Sequence, residues 1–144
     1  MNPRYSLGVL ALALTTPLAL TACGQDDKTS PPSITAPPGD ASPAALQTEA
    51  AKMMTAVADR DYSSAYQFRS TRCKLKISEA DFEAAMQQYY GDRDLKTKPA
   101  EYVVSASGTS GFVVTKNFDD RASEDDPTPR VWTFIDGQWR FDNC

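Results

Sequence analysis

The run Trp132-Thr133-Phe134-Ile135-Asp136-Gly137-Gln138-Trp139-Arg140-Phe141 constrains the fold of this chain more than any other segment. Asp-Gly is a favoured pair for a two-residue hairpin loop, because both central residues of that turn need positive φ. A loop of that length sets one register: Ile135 opposite Gln138, Phe134 opposite Trp139, and Trp132 opposite Phe141. Side chains alternate along a strand, so four aromatic rings share one face while Thr133, Arg140 and Asp142 take the other. Such a face is satisfied by a packed core or by the wall of a deep pocket.

Upstream of this hairpin the hydrophobic period changes from helical to strand-like. Ser42 is placed to cap a first helix with Pro43 at its first position, where a missing N–H costs nothing. Leu46, Ala50, Met53, Met54 and Val57 then recur at helical spacing. The methionine pair suits a core filler better than a soft-metal or redox site. Asp59-Arg60-Asp61 interrupts the pattern, and Asp61 caps a second helix that turns Tyr62, Ala65, Tyr66 and Phe68 inward. Ser78, with Asp81 three residues on, approximates a capping box for a third helix. Its stripe is Phe82, Ala85, Met86 and Tyr89, and Gly91 stops it. Tyr102, Val104 and Ala106 alternate on a first strand, residues 108–111 turn, and Phe112, Val114, Lys116 and Phe118 continue on a second. The expected fold class is therefore α+β, three N-terminal helices packed on an antiparallel sheet of about four strands.

Composition narrows the chemistry. The chain has 144 residues and no histidine, which removes Ser-His-Asp and Cys-His nucleophiles and most zinc sites. A formal charge of −4 gives no support to nucleic-acid binding. Asp119, Asp120, Glu124, Asp125 and Asp126 crowd residues 119–129, but they lack the spacing of a calcium loop and read as a solvated turn. Arg69, Arg72, Lys74 and Lys76 form a basic patch after the second helix. It reads as a solvated helix end, with contact to anionic lipid or wall polymer as the sharper alternative. No catalytic residue, metal site or cofactor is expected.

The N-terminus reads as an address. Arg4 is the only charge before Asp26, and it precedes residues 7–20, a fourteen-residue apolar run. That is short of the roughly 20 residues a spanning helix needs, so it reads as the apolar part of a signal peptide. It closes on Leu20-Thr21-Ala22-Cys23-Gly24, which resembles the lipobox of bacterial lipoproteins. The resemblance implies removal of residues 1–22, a diacylglyceryl group on the Cys23 sulfur, and an extracytoplasmic protein. It would be held at the cell membrane, or at the outer membrane in a Gram-negative cell. An ordinary secretory signal is the alternative. Residues 24–43 include five prolines among twenty and almost nothing apolar, so 23–43 reads as a lipidated cysteine and a disordered tether. Its reach is about 60 Å if extended as polyproline II. Thirteen of the fourteen aromatic residues follow Ala44, which marks the folded domain as 44–144.

With Cys23 committed to lipid, Cys73 and Cys144 remain, and an even remainder outside the cytoplasm suggests a disulfide between them. No Cys-x-x-Cys spacing supports a redox role.

Helices followed by an antiparallel sheet, with Asp61-Tyr62-Ser63-Ser64-Ala65-Tyr66 and the aromatic hairpin, make residues 44–144 similar to the nuclear transport factor 2-like superfamily, and within it to small secreted actinobacterial lipoproteins that end in a cysteine. The resemblance implies a curved sheet over a long helix, forming a cone whose mouth is often a pocket. Only Lys74-Leu75-Lys76-Ile77 stands where fuller members insert strands, so one wall is expected to be missing. A cystatin-like fold is the alternative. The pocket-lining candidates are Tyr66, Tyr102, Trp132, Phe134, Trp139 and Phe141. The superfamily includes isomerases and dehydratases, which use an acid in the cone, but no acid falls on an inward face here. The expected function is a noncatalytic binding or interaction module of the cell envelope. It would meet the membrane through Cys23 and either an envelope protein or a small apolar ligand through the cone. An isomerase-like enzyme and an inhibitor-type scaffold are the alternatives.

Overall fold

A computed structural model of the chain describes residues 39–122 and 127–144. The expected signal, Cys23 and the tether as far as residue 38 lie outside the described residues, as do Glu124, Asp125 and Asp126 of the acidic loop. Helices come first: α1 (Pro43–Ala58), α2 (Tyr62–Gln67), α3 (Thr71–Lys74) and α4 (Glu79–Tyr90). The strands β1 (Glu101–Ser107), β2 (Ser110–Lys116), β3 (Arg130–Ile135) and β4 (Gln138–Phe141) follow. They pair antiparallel in chain order, so the chain is α+β with a four-stranded meander.

Local chemistry sets the helix starts. The Ser42 hydroxyl accepts from the Ala45 N–H at 3.2 Å, the Asp61 carboxylate from Ser64 at 3.0 Å, and the Ser78 hydroxyl from Asp81 at 3.2 Å. Each satisfies an N–H that the first helical turn leaves without a partner. One further turn, α3, stands beside the three expected helices. Ser70 is 1% exposed, and its hydroxyl accepts from the Cys73 N–H at 3.1 Å, so α3 is capped as well. The second helix stops at Gln67 because the chain there joins the sheet edge. Phe141 donates its N–H to the Phe68 carbonyl at 2.8 Å, and Ser70 donates to the Phe141 carbonyl at 2.9 Å.

In the β3–β4 hairpin Asp136 and Gly137 have φ of 51° and 78°, and Trp132 faces Phe141 while Phe134 faces Trp139. The β1–β2 turn is tighter than the four-residue turn read from the sequence. Ser107 pairs with Ser110, and Gly108 takes φ of 59°. Ala106 therefore faces Gly111, and Val104 faces Val113. The core-facing set on β2 is Gly111, Val113 and Thr115, and Phe112 is 46% exposed. The shorter loop slides β2 by two residues against β1, and because side chains alternate with period two the same face stays toward the core.

α1 lies on the sheet. Leu46, Ala50 and Met53 pack on Val113, Trp132, Phe134 and Trp139. Gly111 permits this approach, because a Cβ there would meet the Leu46 side chain and lie 3.0 Å from Trp139 Cζ3. A second cluster of Val57, Tyr62, Ala65, Tyr66 and Phe82 joins α1, α2 and α4.

Candidate ligand-binding site

α4 packs against α2 rather than against the sheet. Its apolar stripe is consequently only partly covered: Phe82 is 5% exposed, Met86 is half-buried, and Ala85 and Tyr89 are exposed. The stripe looks across at Val113, Trp132 and Phe141 of the sheet, over a floor of Ala50, Met53, Met54 and Val57 from α1. The space between is an open cleft of about 450 Å³. That volume falls within the roughly 300–1,000 Å³ of small-molecule sites. Methionines from two helices make its lining adaptable, since an unbranched thioether repacks at little cost.

Two cations interrupt this lining, Arg69 and Arg130. Arg69 sits where the chain leaves α2 and bridges to Phe141. Its guanidinium carbon lies 5.2 Å from the Phe82 ring centre and 5.6 Å from that of Phe141, so aromatic faces hold it by cation–π attraction. Its Nε is buried and donates no hydrogen bond among the described residues. Desolvation lowers the affinity of Arg69 for its proton, with Tyr66 acting weakly in the opposite sense, yet a guanidinium remains charged at any physiological pH. Arg130 is exposed at the start of β3.

The basic patch read from the sequence is therefore dispersed. Arg69 turns into the cleft, and Arg72 pairs with Asp142 at 3.2 Å. Lys74 donates to Gln67 at 2.9 Å and lies over the Tyr66 ring, while Lys76 is exposed. Arg69 also lines a shallow surface depression with Lys74, Asp136 and Arg140.

Of the six aromatic candidates, the cleft gathers Trp132 and Phe141, whose rings meet edge to face at 5.6 Å. Phe134 and Trp139 lie elsewhere, buried in the core with Leu46 of α1 and paired with each other at 5.3 Å. Tyr66 belongs to the helical cluster, where its hydroxyl donates to the Ile77 carbonyl at 3.0 Å. Tyr102 is half-buried beside Leu95 and Phe118, away from the cleft, and burial raises its phenol pKa. Cleft residues missed at the level of sequence include Arg69 and, on the helices, Met53, Met54, Phe82, Ala85, Met86 and Tyr89. The helical ones carry the same spacing as core residues, and only the placement of α4 beside α1 and α2 distinguishes them.

Cys73 and Cys144 are joined, with Sγ atoms 2.15 Å and Cα atoms 5.5 Å apart, and Cys73 is fully buried. Beside them, Asp142 accepts hydrogen bonds from Ser70, from Arg72 Nε at 3.2 Å and from Thr133 at 3.1 Å. Burial alone would raise its pKa; the hydrogen bonds from Ser70, Arg72 and Thr133, with the charge of Arg72, outweigh that and hold it below the ordinary carboxylate value. The cluster of Cys73, Asp142 and Cys144 offers no thiolate while the sulfurs are bonded to each other, so it is not a metal-ligand set.

One acid of the expected solvated turn is instead buried. Asp119 is 7% exposed and accepts from Arg93, 4% exposed, through Nε at 2.5 Å and Nη2 at 2.7 Å. Tyr89, Tyr90 and Phe118 surround the guanidinium with ring centres 5.1 to 5.4 Å away. The pair thus braces the end of α4 that supplies Tyr89 and Tyr90 to the cleft. A bond between residues 26 apart has no local signature in the sequence. Among the described residues no helix is long and apolar enough to cross a membrane.

No protein-family model, curated protein or solved structure matches this chain.

Proposed function

We propose that the chain is an extracytoplasmic lipoprotein, anchored through lipid on Cys23, whose domain of residues 44–144 is a noncatalytic binding module for a small apolar ligand. The observation that carries the binding reading is the cleft of about 450 Å³ between α4 and the sheet, walled by Met53, Met54, Phe82, Met86, Trp132 and Phe141. Apolar surface left open at this scale is stabilised by a ligand that removes it from water, at about 25 cal/mol per Å² buried. The cleft also supports the resemblance to nuclear transport factor 2-like cones, since a four-stranded antiparallel sheet packs over α1 and one side stays open. An isomerase or dehydratase would need a carboxylate in reach of the ligand to move its proton. Among the described residues, those lining this cleft include two arginines, two tyrosines and a threonine but no carboxylate, which favours holding a ligand over transforming it.

Anchoring rests on Arg4, the apolar residues 7–20 and Leu20-Thr21-Ala22-Cys23. Two acyl chains on one cysteine suffice for stable attachment, because each buried methylene contributes about 0.8 kcal/mol. The Pro-rich tether then lets the cleft stand clear of the head groups. An envelope protein is the other partner that the exposed cleft mouth would accept.

The test is a cleft-filling variant of the full chain. Ala85 is exposed on α4 and lines the cleft, so Ala85→Trp occupies the space from a position that does not disturb the core. Organic extracts of the wild-type protein purified from membranes are expected to contain an apolar compound near one equivalent, and extracts of Ala85→Trp to lack it at unchanged Tm. Equal content in the two proteins, or none in either, contradicts the proposal.

A further inference from the structure

We infer that the cleft selects an amphiphile with an anionic head, a single-chain carboxylate such as a fatty acid, and that Arg69 is the residue that receives the head. This deepens the binding reading above and rests on it. Three observations carry it. First, the lining is apolar except for Thr115, the two tyrosine hydroxyls and two positive charges, Arg69 and Arg130, and no acid is among the described residues that line it. Second, the Arg69 side chain is held by ring faces and enters no ion pair among the described residues, and its buried Nε lacks an acceptor. A guanidinium on an apolar wall, outside any ion pair among the described residues, is stabilised by an incoming anion, and a carboxylate matches it in both charge and geometry. Third, the other basic residues nearby are engaged or lie outside: Arg72 is held by Asp142, and Lys74 by Gln67 and Tyr66. Arg69 is therefore the cation that an anion entering between Phe82 and Phe141 meets.

The apolar body follows from the same geometry. Beyond Arg69 the cleft runs along Met53, Met54 and Met86, unbranched side chains that conform to a flexible chain. Arg130 at the exposed edge offers a second, solvated positive charge that assists capture without fixing the head. The cleft volume of about 450 Å³ lies at the lower end of small-molecule sites, which suits one acyl chain better than the two of a phospholipid.

Photoactivatable probes with the same twelve-carbon chain and three different heads separate the possibilities: a carboxylic acid, the corresponding alcohol, and a two-chain phosphatidylglycerol. Each is added to membranes carrying the full chain, and the cross-linked peptides are identified by mass spectrometry. The acid is expected to label peptides containing Met53, Met54 or Met86 at a concentration about tenfold lower than the alcohol, the ratio expected for one charge-assisted hydrogen-bonded contact. In Arg69→Gln that ratio falls to about one while alcohol labelling of the same peptides is retained, which also reports that the cleft is intact. Arg69→Lys, which keeps the charge but not the fork, retains part of the preference. Equal labelling by acid and alcohol in the wild type, an unchanged ratio in Arg69→Gln, or preference for phosphatidylglycerol overturns the inference and leaves the binding module standing. Absence of cleft labelling by every probe overturns both.

Discussion

Replacing Asp119 with alanine is expected to cost far more than its place in an acid-rich loop suggests. The side chains of Arg93 and Asp119 are 1% and 4% exposed, and they meet through two hydrogen bonds at 2.5 and 2.7 Å. Removing the carboxylate takes from a guanidinium enclosed by Tyr89, Tyr90 and Phe118 the countercharge that meets it among the described residues. Breaking one side of a buried pair costs about 3–5 kcal/mol, against about 0–1 kcal/mol for a pair in solvent. Asp120 is the internal control, since it pairs with Lys98 while its side chain is 89% exposed. At about 4–8 °C per kcal/mol for a domain near 100 residues, Asp119→Ala should lower Tm by at least about 12 °C. Asp120→Ala should change it by no more than about 8 °C. The assay is thermal and urea unfolding of the full chain followed by circular dichroism. The double variant Arg93→Met, Asp119→Leu should recover most of the loss, because an apolar pair of similar size leaves no unpaired charge. Equal effects of Asp119→Ala and Asp120→Ala would show that the Arg93–Asp119 pair contributes no more than a solvated one. So would a double variant as unstable as the sum of the two single ones.

Cys73 and Cys144 close a loop with a sequence separation of 71, so reduction or Cys144→Ser should remove about 4 kcal/mol in the chain-entropy account, read as a shift in urea midpoint; two reactive thiols in the unreduced native protein would contradict the bond. Asp142 has its pKa lowered on folding, so its contribution to stability is complete above the ordinary carboxylate range and is lost as pH falls through its own lower value. Urea midpoints between pH 6 and pH 2 should therefore fall less steeply in Asp142→Asn, and an unchanged slope would show that the contacts of Asp142 with Ser70, Arg72 and Thr133 do not hold it ionised. Cys23→Ala is expected to move the protein from the membrane pellet to the supernatant with residues 44–144 still folded; continued sedimentation or a collapsed thermal transition counts against lipid anchoring.

What could be read along the chain was what short-range chemistry decides. Ser42, Asp61 and Ser78 cap helices because their side chains reach an N–H three residues on, and Asp136-Gly137 sets a register because both positions sit at positive φ. Residues 108–111 read as one turn, but Gly108 alone supplies the left-handed residue that a two-residue loop needs, and the strands close on Ser107 and Ser110. The cleft was less legible than the core. A stripe of Phe82, Ala85, Met86 and Tyr89 has the same period whether a sheet covers it or not, and cover is decided by α2, on which α4 docks. Arg69 shows the same limit: its neighbours Arg72, Lys74 and Lys76 make it look solvated, but the backbone bridge to Phe141 draws it inward. The Arg93–Asp119 pair depends on a contact between two loops that no window of residues contains.

The most direct measurement of the central claim is native mass spectrometry of the full protein released from membranes, followed by the same protein after denaturation. The expected native mass is that of a chain beginning at Cys23, carrying a diacylglyceryl group and retaining one small apolar or acyl adduct. Denaturation should remove the adduct and leave the lipid in place, with the mass two hydrogens below the reduced form. A chain that still carries residues 1–22, or one that lacks covalent lipid and noncovalent adduct alike, would contradict the account.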